Sequence, residues 1–140
     1  MSGACQVDFY QLTSADRPAE HLACKLALMA WERGHRVAIV GRDTAQVDDL
    51  DRILWQSPPG RFLPHEKGSG HAAPVSLLLE APGKDGDVVI NLTDQAMPGP
   101  LPWQRLLEIV PFREEEREAA RGKFREYRAQ GLDPKAHQIN

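Results

Sequence analysis

The spacing of apolar residues changes several times along the chain, and each change predicts an element. "VDFYQL" (7–12) alternates, the period-two pattern of a strand with one buried face. "TSADRPAEHLACKLALMAWERGHR" then places Leu22, Leu26, Met29 and Ala30 at helical spacing, with Ser14 or Asp16 as N-cap, a proline in the first turn and Gly34 as the stop. "RVAIVG" (36–41) is a continuous β-rich run of the kind buried on both faces of a parallel sheet. "DTAQVDDLDRILWQ" opens with Asp43 as a cap and carries Val47, Leu50, Ile53, Leu54 and Trp55 at helical spacing. Strand, helix, strand, helix predicts an α/β fold with right-handed crossovers, a three-layer, largely parallel sheet flanked by helices.

The second half is more broken. Turn chemistry predicts a loop over "SPPGRFLPHEKGSGHAAP" (57–74), and "VSLLLE" (75–80) and "DVVINL" (87–92) are strand candidates whose turn-rich link, "APGKDG", allows a hairpin. "TDQAMPGPLPWQ" (93–104) is too rich in proline to be regular, and "LLEIVPF" (106–112) predicts a last strand ending near Pro111. A helix follows within Phe112 to Leu132, then a short polar tail, "DPKAHQIN". The expected organisation is a single α/β domain over 1–132 and a tail over 133–140.

That final helix carries an unusual stripe. At about 100° per residue, Arg117, Arg121, Phe124 and Arg128 fall within a sector roughly 60° wide, with Arg125 at its edge. Ala120 and Tyr127 form an adjacent apolar edge that can fix the helix on the sheet with the arginines at the rim. The plain alternative is a solvated helix whose Glu and Arg residues pair at i,i+4, each pair contributing a few tenths of a kcal/mol. An arginine fork donates two parallel hydrogen bonds to a carboxylate, and an aromatic beside it fits a ligand with an apolar end. The stripe therefore suits an acidic peptide with a hydrophobic terminus.

Composition narrows the partners. The 140 residues are 41% hydrophobic and 26% charged, which is ordinary for a globular domain, and no apolar run reaches membrane-spanning length. The start "MSGACQVDFYQL" lacks a basic region followed by a long apolar one, so the expected location is the cytoplasm. A formal charge of −3 argues against broad binding to bare DNA, so any positive site must be local. Cys5 and Cys24 make no CxxC or CxxH pattern, and Cys24 lies on an apolar helix side, as a small buried hydrophobe does.

Catalytic patterns are missing. Neither turn after the first two strands is GxGxxG, and GxxxxGK[ST] does not occur, so the glycine-built phosphate cradle is lacking. The histidines (His21, His35, His65, His71 and His137) include no HExxH, the serines include no GxSxG, and Asp48, Asp49 and Asp51 read as a solvated helix face. No cofactor or metal is expected. A mononucleotide-binding enzyme stays open as the alternative because of the strand-helix-strand-helix start. A direct single-strand binder would need bases stacked on Trp55, Phe62 or Phe124 in a basic groove.

Taken in order, "VDFYQL", "RVAIVG", "LDRILWQ", "RFLPHEK", "APVSLLLE", "VVINL", "EIVPF" and "KFREYRAQGL" resemble the chi subunit family of bacterial DNA polymerase III holoenzyme. The resemblance implies a non-catalytic accessory of the clamp loader, folded like a nucleotide-binding domain but without a nucleotide site. It implies two protein partners: the psi subunit, which ties such proteins to the clamp loader, and single-stranded DNA-binding protein. The latter is bound by its acidic C-terminal tail, which ends in phenylalanine with a free carboxylate. By the same resemblance Trp55, Phe62 and Val110 form the apolar part of the tail pocket or its support, and Arg117, Arg121, Phe124 and Arg125 match its helix positions. Arg121 is the expected clasp on the terminal carboxylate, with Arg117 and Arg125 facing the tail's aspartates. Phe124 stands in place of a tyrosine and Arg125 in place of a lysine, changes that keep the aromatic face and the charge. The psi-binding surface is left unassigned.

Overall fold

A computed structural model describes residues 5–16, 18–56, 63–68, 73–83 and 87–139. It is an open α/β fold in which β1 (Gln6–Leu12), β2 (Val37–Val40), β3 (His65–Lys67), β4 (Val75–Leu78), β5 (Val88–Asn91), β6 (Arg105–Val110) and β7 (Lys135–Ile139) run parallel. The strand order is β3-β4-β2-β5-β6-β1-β7. Helices α1 (Ala19–Glu32), α2 (Thr44–Gln56) and α3 (Glu114–Ala129) complete it. None of the helices is long and apolar enough to cross a membrane.

Strand position follows composition. All of "VAIV" (β2) and "VVIN" (β5) is buried, as suits strands covered on both faces, whereas the polar "HEK" and "KAHQI" form the two edges. Charged residues on an edge strand discourage pairing with another chain. Alternate residues of each strand then build two cores. Leu12, Ile39, Leu77, Ile90 and Leu107 pack under α1 and α2, while Phe9, Val40, Val89, Leu106 and Val110 face the side of α3.

Helix boundaries have local causes. Asp43 caps α2 as expected, its Oδ1 accepting from the Gln46 backbone N–H at 2.8 Å. Gly34 ends α1 at φ 89°, where a side chain would be strained, and its N–H reaches the Trp31 carbonyl. The expected Ser14 or Asp16 cap on α1 is corrected: the helix begins only at Ala19, past both residues, so Pro18 is the N-cap without a side-chain hydrogen bond, and the Ser14 hydroxyl instead accepts from the Asp16 N–H in a turn. Met29, expected on the apolar side, is exposed.

Three connections also depart from expectation. β4 and β5 are not a hairpin; both flank β2 and run parallel to it, which buries their short apolar runs in mid-sheet. The segment 57–74, read as loop, includes β3, paired with β4. The expected tail is not free over its described part, 133–139: β7 pairs with β1 through Phe9↔Ala136 and Gln11↔Gln138, so β6 is not the last strand. The irregular 93–104 connection does without a helix on its part of the α3 side. It buries Met97, Leu101 and Trp103 in that core, and the Trp103 indole N–H donates to the Gly83 carbonyl at 2.8 Å.

Candidate functional site: an arginine-lined groove

The groove begins with how α3 is anchored. Tyr127 is fully buried and its ring tilts against Phe9 with centroids 6.0 Å apart, while Phe124, half-buried, meets the same ring at 5.3 Å. Below them β6 carries a carboxylate in the apolar "LLEIV" run. Glu108 is 1% exposed; its Oε1 accepts from Lys123 Nζ at 2.9 Å, and its Oε2 accepts from the Tyr127 hydroxyl at 2.6 Å and Asn91 Nδ2 at 2.9 Å. The Tyr127 oxygen in turn accepts from the Met97 N–H, and Lys123 also donates to the Thr93 carbonyl. Burial pushes the Glu108 carboxyl upward against the pull of Lys123 and the hydrogen bonds, and pushes the Tyr127 phenol up as well. One helix, two strands and the 93–104 connection are thereby held in a single register.

This anchoring turns the other side of α3 outward. A groove of about 350 Å³ runs between α3 and the β6-β1-β7 edge, with Phe9, Val110 and Ala136 at its floor and Arg117, Arg121, Phe124 and Arg125 on its helix side. Four of the expected positions on α3 and one on β6 are therefore brought together, and the apolar edge at Ala120 and Tyr127 packs inward as expected.

The three arginines are held differently. Arg117 is half-buried; in the orientation that satisfies its amide, Gln11 accepts from Arg117 Nε at 3.1 Å and Nη2 at 3.3 Å. The guanidinium also lies over the Phe112 ring, 4.9 Å from its centroid. Arg121 is more exposed and pairs with Glu114 at 2.8 Å and Glu118 at 3.1 Å, a solvated ion pairing whose partners lie seven and three residues back and not at the expected i,i+4 spacing. Arg125 makes no ion pair among the described residues. Phe9, Gln11 and Ala136 were not expected here, although the alternation of "VDFYQL" already puts Phe9 and Gln11 on one strand face.

Two expected positions are elsewhere. Trp55 does not line this groove: it stands at the end of α2, 60% exposed, in the layer on the opposite face of the sheet, with its ring edge-on to the buried His65 imidazole at 4.9 Å. Helical spacing put Trp55 on the α2 stripe but could not tell which side of the sheet that helix covers. Phe62 lies outside the described residues, as does His71.

The family model described as "DNA polymerase III chi subunit, HolC" matches residues 5–135. The chain belongs to the DNA polymerase III chi subunit family. A Pseudomonas aeruginosa protein named DNA polymerase III subunit chi is 43% identical over 96% of both chains. Proteins of the same name from Haemophilus influenzae and Escherichia coli are 30% and 28% identical, covering 88% and 81% of this chain and 90% and 81% of their own. The match reaches from β1 to the first residue of β7, so every groove-lining residue except Ala136 falls within it.

Other features of this chi-family chain carry no comparable chemistry. A crevice of about 300 Å³ sits at the carboxyl ends of the strands, where α/β folds often bind nucleotides, but Glu20, Asp94 and Glu116 line it together with Arg42, Arg113 and Lys123. The three carboxylates offset the three basic groups, so the crevice lacks the net positive charge of a phosphate site. Asp48, Asp49 and Asp51 contact Lys67, Arg52 and His65, and no group of three metal-ligating side chains occurs among the described residues. Both cysteines are buried, and burial raises the Cys5 thiol to about 11 and the Cys24 thiol to about 12.

Proposed function

We propose that this chi-family chain is a non-catalytic adaptor of the DNA polymerase III clamp loader whose α3 groove grips the acidic C-terminal tail of single-stranded DNA-binding protein. The observation that carries the reading is the convergence of Arg117, Arg121 and Arg125 with Phe124 over the apolar floor of Phe9, Val110 and Ala136. An arginine fork suits the tail's terminal carboxylate, the floor suits its phenylalanine ring, and the remaining arginines suit its aspartates.

The magnitudes are compatible with a weak, exchangeable grip. A hydrogen bond to a charged group contributes about 1.5–3 kcal/mol, and burying a Phe side chain contributes a similar amount. A micromolar complex totals about 8 kcal/mol, so losing one such contact moves affinity by tenfold or more. Many tails on a coated strand would raise the effective affinity through multivalency. The adaptor role also needs a second surface, for the psi subunit. The exposed Trp55 indole is a fitting candidate, since α2 and α3 cover opposite faces of the sheet and both partners can then bind together.

The test is a fluorescence-anisotropy titration with the tail peptide of the cognate single-stranded DNA-binding protein, its C-terminally amidated form, and an unrelated single-stranded oligonucleotide. The expected result is micromolar binding of the acid form, weaker at high salt, a loss of about tenfold on amidation, and little binding of bare DNA. Equal binding of acid and amide, or tight binding of bare DNA, would refute the reading.

A further inference from the structure

We propose that Glu114 and Glu118 are internal competitors for the groove's ligand: they hold the Arg121 guanidinium in the free protein and must release it before a ligand carboxylate can take it. This deepens the tail-binding reading and rests on it.

Arg121 presents its Nη2 to Glu114 Oε2 at 2.8 Å and its Nε to Glu118 Oε2 at 3.1 Å. These are the two nitrogens a single carboxylate uses when it docks side-on and bidentate. The helix thus fills the fork with one oxygen from each of two of its own side chains, seven and three residues back along α3. Helical periodicity places both glutamates beside the arginine face.

The neighbouring arginines lack this occupancy. Arg117 is steadied by the neutral Gln11 amide and the Phe112 ring, which orient it without neutralising it. Arg125 has no ion pair among the described residues. An incoming acidic chain therefore meets Arg117 and Arg125 ready to bind, and Arg121 only by exchange.

Exchange is feasible because the clamp is solvated. Arg121, Glu114 and Glu118 are 51%, 73% and 68% exposed as side chains, so releasing either glutamate strands no charge in the interior. Exposed pairs of this kind are weak, so the competition lowers affinity by a modest factor and leaves binding possible. The pairs also favour carboxylates that bring an apolar anchor with them, since an isolated carboxylate gains nothing over those already present.

The test measures tail-peptide affinity by anisotropy for E114Q and E118Q, with E115Q as the charge control, in wild-type and R121A backgrounds. Glu115 lies in the first turn of α3 with Glu114 and makes its ion pair with Arg113, so E115Q matches both variants in net charge and E114Q in helix-end charge as well. E114Q and E118Q are each expected to tighten binding by about two- to fivefold beyond E115Q, and that extra gain should vanish in R121A. A gain no larger than that of E115Q, or one that persists in R121A, would overturn the competition. If the peptide binds none of the variants nor the wild type, the tail-binding reading itself falls, and the competition with it.

Discussion

Removing Lys123 should be among the costliest single changes on α3. Its Nζ is the cationic partner of Glu108; the two side chains are 8% and 1% exposed, so K123M leaves a carboxylate in the interior without its counter-charge. Breaking a buried pair from one side costs about 3–5 kcal/mol. The Tyr127 hydroxyl and Asn91 amide still donate to Glu108 Oε2, which places the expected loss at the lower end, about 3 kcal/mol. At a urea slope of about 1–3 kcal/mol per molar, the unfolding midpoint should fall by roughly 1–3 M. E108L/K123M removes both charges but also takes the acceptor from the Tyr127 hydroxyl and the Asn91 amide, so it should recover part of the loss.

The pH dependence of that variant has a definite sign. Burial already pushes the Glu108 carboxyl above its usual range, and deleting Lys123 removes the main opposing charge. Between the unfolded pKa of about 4.3 and the higher folded value, the native chain holds one proton that the unfolded chain lacks. Stability therefore falls as pH rises through that window, and lowering the pH should recover about 1.4 kcal/mol per unit until the unfolded value is reached. Urea melts of wild type, K123M and E108L/K123M at several pH values, followed by far-UV circular dichroism, read both effects. A K123M deficit below about 1 kcal/mol, or one independent of pH, would show that Lys123 does not hold Glu108.

Three further outcomes follow from the geometry. Truncation after Leu132 should lower Tm by several degrees and promote self-association in sedimentation, because it strips β7 from the β1 edge and removes Asp8's contact with His137 at 2.9 Å; an unchanged Tm and a monomer would contradict this. F124A should weaken tail-peptide binding about tenfold in anisotropy, with F124Y close to wild type, since the ring face and not a hydroxyl lines the groove; equal affinities would remove Phe124 from the site. W55A should change stability by less than about 1 kcal/mol and leave tail affinity unaltered while weakening pull-down of psi, and a loss of tail binding would place Trp55 in the wrong role.

Long periodic segments were legible from sequence, and neighbour relations were not. β1, α1, β2, α2 and α3 each announce themselves by period, cap or stop, and the α3 stripe was visible before any fold was known. β7 was missed because an exposed edge strand such as "KAHQI" has no buried face to impose alternation. β4 and β5 were paired wrongly because short apolar runs reveal burial but not which strand lies alongside, and β2 intervenes. The groove floor escaped for a related reason. Phe9 and Gln11 reach α3 only because β1 lies beside β6, a contact between segments nearly a hundred residues apart. Glu108 in "LLEIV" was the overlooked signal, since a carboxylate in mid-strand points to a buried partner.

Amide chemical-shift mapping on the ¹⁵N-labelled chain, titrated with the acid-form tail peptide, tests the central claim most directly. The account predicts perturbations at Phe9, Gln11, Val110 and across Arg117 to Arg125, with α2 from Val47 to Trp55 silent. Shifts centred on α2, or on the strand-end crevice at Glu20, Arg42 and Asp94, would contradict it.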